Sequence, residues 1–233
     1  MSVVIFDLDG TVIDSRRVME AAFRAAYLQE VGAGEPPLDG FFGLLGESFP
    51  RILETLGLPA SMYEPFRAQS RARLSEIALC EGAVEVCDRL LEAGVTLAVL
   101  TGKDRERTLE ILDRFALRDR FSAIATGSDG FRPKPAPDGV LLLCRELDVS
   151  PEATAVVGDG MFDVLAGKRA GTWTVGCTWG MASTAALASA GADVVVDTSS
   201  ELLEVLGRWL EETADSPLRA GTPSLTRARA GAQ

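Results

Sequence analysis

Residues 1–15, MSVVIFDLDGTVIDS, decide how the rest of the chain is read. Residues 3–6 are a continuous run of β-branched and aromatic side chains, the pattern of a short strand buried on both faces. The run stops at Asp7-Leu8-Asp9-Gly10-Thr11. Two carboxylates this close to a buried strand are costly unless a metal ion or a cationic group compensates them. On extended backbone, residues two apart point to the same side, so Asp7 and Asp9 face one way and Leu8 faces the core. Gly10 lets the chain turn where a Cβ would stand in the way. An acidic pocket at the carboxyl end of a strand results, which is where open α/β sheets take their ligands.

The remainder of the chain supplies such a sheet. At 233 residues it can hold one domain with an insert, and 47% hydrophobic content is ample for a core. Beyond residue 80, strands are predicted over 95–100, 121–126, 154–157, 173–177 and 193–196. Helices are predicted over 83–93, closed by Gly94, and over 104–115, 138–147, 161–170 and 200–210. This βαβ repetition implies an α/β fold, a Rossmann-like parallel sheet flanked by helices with right-handed crossovers. Residues 16–80 lack strand-like runs and read as three helices: 17–31, 49–56 ended by Gly57, and 62–79 with Ser61 as its N-cap. The domain reading is 1–15 plus 81–212 as the α/β core, 16–80 as an inserted helical unit, and 213–233 as a disordered tail.

Composition narrows the function classes. A net charge of −11 offers no basic patch for nucleic acid or an anionic membrane, but it leaves room for an anionic substrate held by a local cationic cluster. No apolar run reaches the length of a membrane span and no basic leader precedes the first strand, so a soluble cytoplasmic protein is expected. Cys80, Cys87, Cys144 and Cys177 show no paired spacing and read as buried reduced thiols. The chain has no histidine, which removes Ser-His-Asp, Cys-His and histidine-metal chemistry together. Its only lysines are Lys103, Lys134 and Lys168.

Three further stretches carry candidate chemistry. Thr101-Gly102-Lys103 ends a strand and opens a helix, offering a hydroxyl and backbone amides to a phosphate, with Lys103 read as solvated. Arg132-Pro133-Lys134-Pro135-Ala136-Pro137-Asp138 holds a lysine between prolines, in a loop too stiff to point it at random. Gly158-Asp159-Gly160-Met161-Phe162-Asp163 follows a strand and precedes an Ala/Gly-rich helix, with the two aspartates four residues apart.

These four stretches, in this order and at the ends of successive strands, resemble the four motifs of the haloacid dehalogenase superfamily. The resemblance covers about residues 1–212, and the helical insert resembles that superfamily's C1-type cap, a lid over the acidic pocket. It implies that Asp7 attacks phosphorus to form an aspartyl-phosphate and that Asp9 is the acid and then the base. Thr101, the Gly102 amide and Lys134 hold phosphoryl oxygens. Mg²⁺ is implied as cofactor, bound by Asp7 and Asp159, by the Asp9 carbonyl, and by Asp163 directly or in support. The expected substrate is a small phosphorylated metabolite, for a monomer or homodimer without nucleic-acid or membrane partners.

Within the superfamily, Asp9 argues against a dehalogenase, and the absence of lysine before residue 100 argues against a Schiff-base phosphonate hydrolase. A sugar phosphate or phosphoglycolate is the leading substrate, and residues 12–17 with the insert look most like phosphoglycolate-phosphatase relatives. Inorganic pyrophosphate, a phosphomutase reaction on the same fold and a phosphatase of aminosugar-derived antibiotic precursors remain alternatives. So does a non-catalytic phosphate-binding module, which would be marked by loss of Asp7, Asp9 or Lys134. Gly46-Glu47-Ser48 resembles the cap loop that meets the leaving group, with Arg51 expected near it, and a glutamate there would suit a hydroxyl or amino group better than a second carboxylate.

Overall fold

The computed structural model describes residues 1–214 of the chain. In chain order its strands are β1 (Val3–Phe6), β2 (Ile13–Asp14), β3 (Ala78–Leu79), β4 (Thr96–Leu100), β5 (Ala123–Ala125), β6 (Thr154–Gly158), β7 (Trp173–Cys177) and β8 (Val194–Val196). The helices are α1 (Arg16–Val31), α2 (Leu38–Gly43), α3 (Phe49–Thr55), α4 (Tyr63–Ala72), α5 (Ala83–Glu92), α6 (Arg105–Arg114), α7 (Asp138–Glu146), α8 (Met161–Ala170), α9 (Thr184–Ser189) and α10 (Ser199–Ala214).

Six strands form one parallel sheet in the order β5-β4-β1-β6-β7-β8, as the βαβ pattern requires. β1 lies near its middle and is buried along its whole length, which explains its unbroken apolar run. Alternate residues of β1 serve opposite faces. Val4 and Phe6 join a core with Leu90, Ile111, Leu206 and Trp209 from α5, α6 and α10. Val3 and Ile5 join a second core with Val140, Leu143, Ala166 and Ala170 from α7 and α8. Phe6 pairs with Val99 of β4 and Val157 of β6, so Asp7, Thr101 and Asp159 emerge together at one end of the sheet. The chain leaves β1 toward β4 on one side and returns to β6 on the other, a switch point in the strand order.

Helices α1 to α4 surround a separate apolar cluster that includes Phe23, Phe41, Ile52, Leu53, Met62 and Phe66. Its rings are stacked: Phe23 on Phe41 at 4.3 Å and Phe49 on Phe66 at 3.9 Å between centroids. The chain enters and leaves this segment through an antiparallel pair, Ile13 opposite Leu79 and Asp14 opposite Ala78.

Several local expectations change. The helix expected over 62–79 is broken: α4 ends at Ala72, a 3₁₀ turn follows at Leu74–Glu76, and Ala78–Leu79 is the strand β3. Ser61 is not its N-cap, because it lies inside a 3₁₀ turn, Ala60–Met62, that leads into α4. Residues 16–80 are therefore not purely helical. An additional short helix, α2 at Leu38–Gly43, lies between the first two expected ones. The disordered tail assigned to 213–233 starts too early, since α10 continues to Ala214; residues 215–233 lie outside the described residues. The four thiols are unpaired, three fully buried and Cys80 half-buried. Burial pushes the Cys87 thiol up to about 12, as expected of an inert core cysteine.

The Ala/Gly-rich character of α8 has a packing cause. A Cβ on Gly167 would lie 2.6 Å from Thr174 Cγ2 and 2.9 Å from Thr172 Oγ1, while one on Gly207 of α10 would meet open space. Gly167→Ala is expected to lower unfolding free energy by about 1–3 kcal/mol through overpacking. Gly207→Ala is expected to raise it by about 0.5–1 kcal/mol, the ordinary gain for a helix interior. Urea denaturation of both variants checks the pair, and a Gly167→Ala protein as stable as wild type would contradict the close approach of α8 to the sheet.

Candidate active site

The site is built from the ends of β1, β4 and β6 and from the loop that carries Lys134. β1 delivers Asp7, whose amide donates to the Val157 carbonyl at 2.9 Å and so continues the sheet by one residue. The chain then turns at Gly10, whose φ of +82° is the left-handed region that a Cβ disfavours. In the turn the Thr11 hydroxyl donates to Asp159 Oδ1 at 3.1 Å, tying the first strand end to that of β6. The Met181 amide donates to Asp159 Oδ2 at 2.8 Å. Asp159 is thus not a helix cap. Asp163 takes that part at the start of α8, accepting from the Gly160 amide at 3.0 Å.

Lys134 enters from its proline-flanked loop and is buried. Its ammonium donates to Asp7 Oδ1 at 2.7 Å, to Asp163 Oδ1 at 2.5 Å and to the Leu100 carbonyl at 3.2 Å. All three ammonium donors are used. Burial works against its charge, but Asp163 and Asp7 outweigh burial and hold its pKa above the ordinary lysine value. Burial pushes the Asp7 carboxyl up to about 7, with Lys134 opposing and Asp163 and Asp9 adding to the rise. Asp159 is raised by the same burial and by its two carboxylate neighbours.

Asp9 sits apart from this group. It accepts from the Ser15 hydroxyl at 2.5 Å and lies 3.1 Å from Lys103 Nζ. Burial opposes its charge, yet Lys103 and Ser15 hold its pKa below the ordinary carboxylate value. Lys103, read as solvated from the sequence, is instead buried, with its side chain only 4% exposed. The signal was present, because Lys103 follows Thr101-Gly102 directly at the strand end.

A cavity opens in front of Asp7 and Asp9, lined also by Thr101, Gly102, Lys103, Glu47 and Ser48. Lys134 lines a smaller adjoining cavity with Thr101 and Gly102. The far wall is aromatic, with Phe41, Phe49, Tyr63 and Phe66 from the helical segment. Arg51 does not line either of these cavities; its side chain is 55% exposed, ion-paired with Glu54, and 3.8 Å from Glu47. Ser48 stands at the N-cap position of α3 without a side-chain capping bond. Thr11, Arg67 and Arg107 also belong to the site and were not singled out from the sequence. Arg107 lies four residues beyond Lys103, the spacing that puts two side chains on one side of a helix start.

Asp7, Asp159 and Asp163 each present an oxygen within 4.8 Å of the others. Three buried carboxylates against the single ammonium of Lys134 leave a net negative charge in a low-dielectric place. Hard oxygen donors carrying that surplus fit a hard divalent cation such as Mg²⁺. A cationic centre of that kind would also favour the ionised form of Asp7.

Comparison with known proteins agrees with this geometry. Residues 4–177 match the family model described as haloacid dehalogenase-like hydrolase. The chain is 29% identical to the pyrophosphatase PpaX of Bacillus velezensis, over 89% of this chain and 97% of that protein. It is 31% identical to the phosphoglycolate phosphatase of Aquifex aeolicus, over 91% of this chain and all (100%) of that one. A solved structure of a hydrolase from Pseudomonas syringae shares the fold with a TM-score of 0.80 at 24% identity, covering 89% of this chain and 98% of the other. The chain belongs to the haloacid dehalogenase-like hydrolase family and stands with its phosphatases.

Proposed function

We propose that this protein is a Mg²⁺-dependent phosphatase that hydrolyses a small phosphate monoester through an aspartyl-phosphate. The observation that carries the reading is Asp7 at the end of β1, open to the cavity, with Lys134 Nζ at 2.7 Å and Asp9 two residues on. An Asp7 carboxylate oxygen attacks phosphorus and the bond to the leaving oxygen breaks, giving an acyl phosphate on Asp7. Asp9 supplies the proton that the leaving oxygen takes up. A water then attacks the acyl phosphate, Asp9 accepts its proton, and phosphate departs. The first step needs Asp9 protonated against the pull of Lys103 and Ser15, and the second needs it ionised, as it stands. The Thr101 hydroxyl and the Gly102 amide, on the cavity wall, would meet phosphoryl oxygens, and the Lys134 ammonium would join them by giving up one of its present acceptors, such as the Leu100 carbonyl.

Asp7 and Asp159, with the Asp9 carbonyl and with Asp163 bound directly or in support, would hold the Mg²⁺. Bound there, the ion would supply positive charge for the phosphoryl oxygens and lower the repulsion met by an anionic nucleophile. Residues 16–80 would act as the cap on a core of 1–15 and 81–212, and Glu47 and Ser48, which line the cavity, would meet the leaving group. A sugar phosphate, phosphoglycolate or pyrophosphate are the substrates in keeping with this cavity and with the relatives' names. A purely phosphate-binding module would not need Asp7, Asp9 and Lys134 assembled, and all three are. Among the described residues no helix is long and apolar enough to cross a membrane.

The test is phosphate release from a panel of sugar phosphates, phosphoglycolate, nucleotides, pyrophosphate and p-nitrophenyl phosphate. Release is expected with Mg²⁺, is lost with chelator, and falls to background in Asp7→Asn. Retained turnover in Asp7→Asn would overturn the aspartyl-phosphate route. Thr11→Val removes the hydroxyl that orients Asp159 and is expected to weaken Mg²⁺ binding about 10-fold. Calorimetric titration of the ion reads this without any turnover, and an unchanged affinity would show that the Thr11 hydroxyl does not support the metal site.

A further inference from the structure

The wall of the cavity beside Asp9 carries more cation than the proposed chemistry uses. Arg107, in the first turn of α6, has a side chain only 9% exposed and lines the cavity. Its guanidinium donates no hydrogen bond to any described residue, and its nearest carboxylate oxygen, on Asp104, is 3.9 Å away. The Asp104 carboxylate is already engaged: it accepts from the Arg107 backbone amide at 3.0 Å and lies 3.6 Å from Arg67 Nε. Arg67 Nε is itself buried without a hydrogen-bond partner. Lys103 is close enough to Arg107 for each charge to disfavour burial of the other, and Lys103 is spent on Asp9. The Arg107 guanidinium carbon lies over the ring of Phe66, 5.6 Å from its centroid.

A buried guanidinium has five donors in a rigid fork, and here Asp9 and Asp104 offset its burial only in part and through space, with no hydrogen bond made by the fork. The fork matches a carboxylate or phosphate edge, the groups arginine recognises with two parallel bonds. We infer that Arg107, supported by Lys103 and Arg67, forms a subsite for a second anionic group on the substrate, a carboxylate or second phosphate borne by the leaving group. The inference rests on the phosphatase reading for which end of the substrate faces Asp7. It also explains why three cations line a cavity in a chain of net charge −11. A neutral sugar phosphate would leave the fork as it is found. The Glu47 carboxylate on the same cavity can still meet a hydroxyl or amino group of the same molecule.

The test is competition against p-nitrophenyl phosphate hydrolysis at fixed free Mg²⁺, using three small competitors. Phosphoglycolate carries a carboxylate, pyrophosphate a second phosphate, and hydroxyethyl phosphate neither. At least one anionic competitor is expected to inhibit with a constant 10-fold or more below that of hydroxyethyl phosphate, and the tighter of the two identifies the anion. Arg107→Gln is expected to shrink that ratio to about threefold or less, and Arg107→Lys to keep part of it. Equal inhibition by all three compounds in the wild type would overturn the subsite, as would a ratio that survives Arg107→Gln in a protein shown to be folded by circular dichroism. The wild-type comparison needs no variant to be decisive. Absence of turnover with every ester would instead count against the phosphatase reading, and calorimetric titration of the same three compounds would then read the subsite directly.

Discussion

The site depends on keeping three buried carboxylates beside one another. Asp7, Asp159 and Asp163 lie within ligand distance, and Lys134 is the only ammonium among them. Its three donors go to Asp7, Asp163 and the Leu100 carbonyl, so Asp159 is left with the dipoles of Thr11 and the Met181 amide. One positive charge against three negative ones is stable only with the carboxyls partly protonated or with a further cation. The upward push on Asp7 and Asp159 expresses the first alternative, and the hard oxygen set fits the second. Breaking a buried pair by removing one partner typically costs about 3–5 kcal/mol. A fold would not carry this arrangement at its centre without a use for it.

The parallel sheet turns that local problem into a site. Each strand end can offer only one or two side chains, but β1, β4 and β6 are neighbours in register, so their ends converge without any long loop having to reach. Only Lys134 comes from farther away, and its flanking prolines restrict the backbone that presents it. The mechanism therefore rests on backbone pairing inside the buried core, while the aromatic wall rests on a separate cluster around Phe41 and Phe66.

Much of this was legible in the residue order, for physical reasons. A doubly buried strand must be continuously apolar, and a carboxylate pair at its end must be compensated, so VVIF followed by DLDGT already implied Asp7, Asp9 and a cation. Boundaries failed where tertiary pairing outweighed helical periodicity. Ala78 and Leu79 follow helical spacing, yet they pair with Ile13 and Asp14 because the inserted segment has to leave where it entered. A two-residue strand has no period to detect. Lys103 was misread because exposure is the ordinary state of lysine, whereas the unpaired demand here was that of Asp9, nearly a hundred residues earlier. Arg51 was misplaced for the complementary reason: proximity in sequence to Glu47 and Ser48 did not carry it into the cavity, because the helix turns it toward Glu54 and solvent.

The two halves of the cavity are also built to meet. Gly102, at the end of β4, approaches the insert so closely that a Cβ on it would lie 2.5 Å from the Glu47 carbonyl oxygen and 2.9 Å from that of Gly46. The loop carrying Glu47 thus rests on backbone at the end of β4, rather than on a flexible side chain. A shift of that loop has to move either the Gly102 region or the loop's own footing, since packed backbones do not deform continuously. In the proposed reading, leaving-group contacts on the insert and phosphate contacts on the sheet would therefore be mechanically joined at one glycine. Under the proposed phosphatase reading, a substrate that failed to seat the insert would also fail to align phosphorus with Asp7, so selection would act on the chemical step as well as on binding.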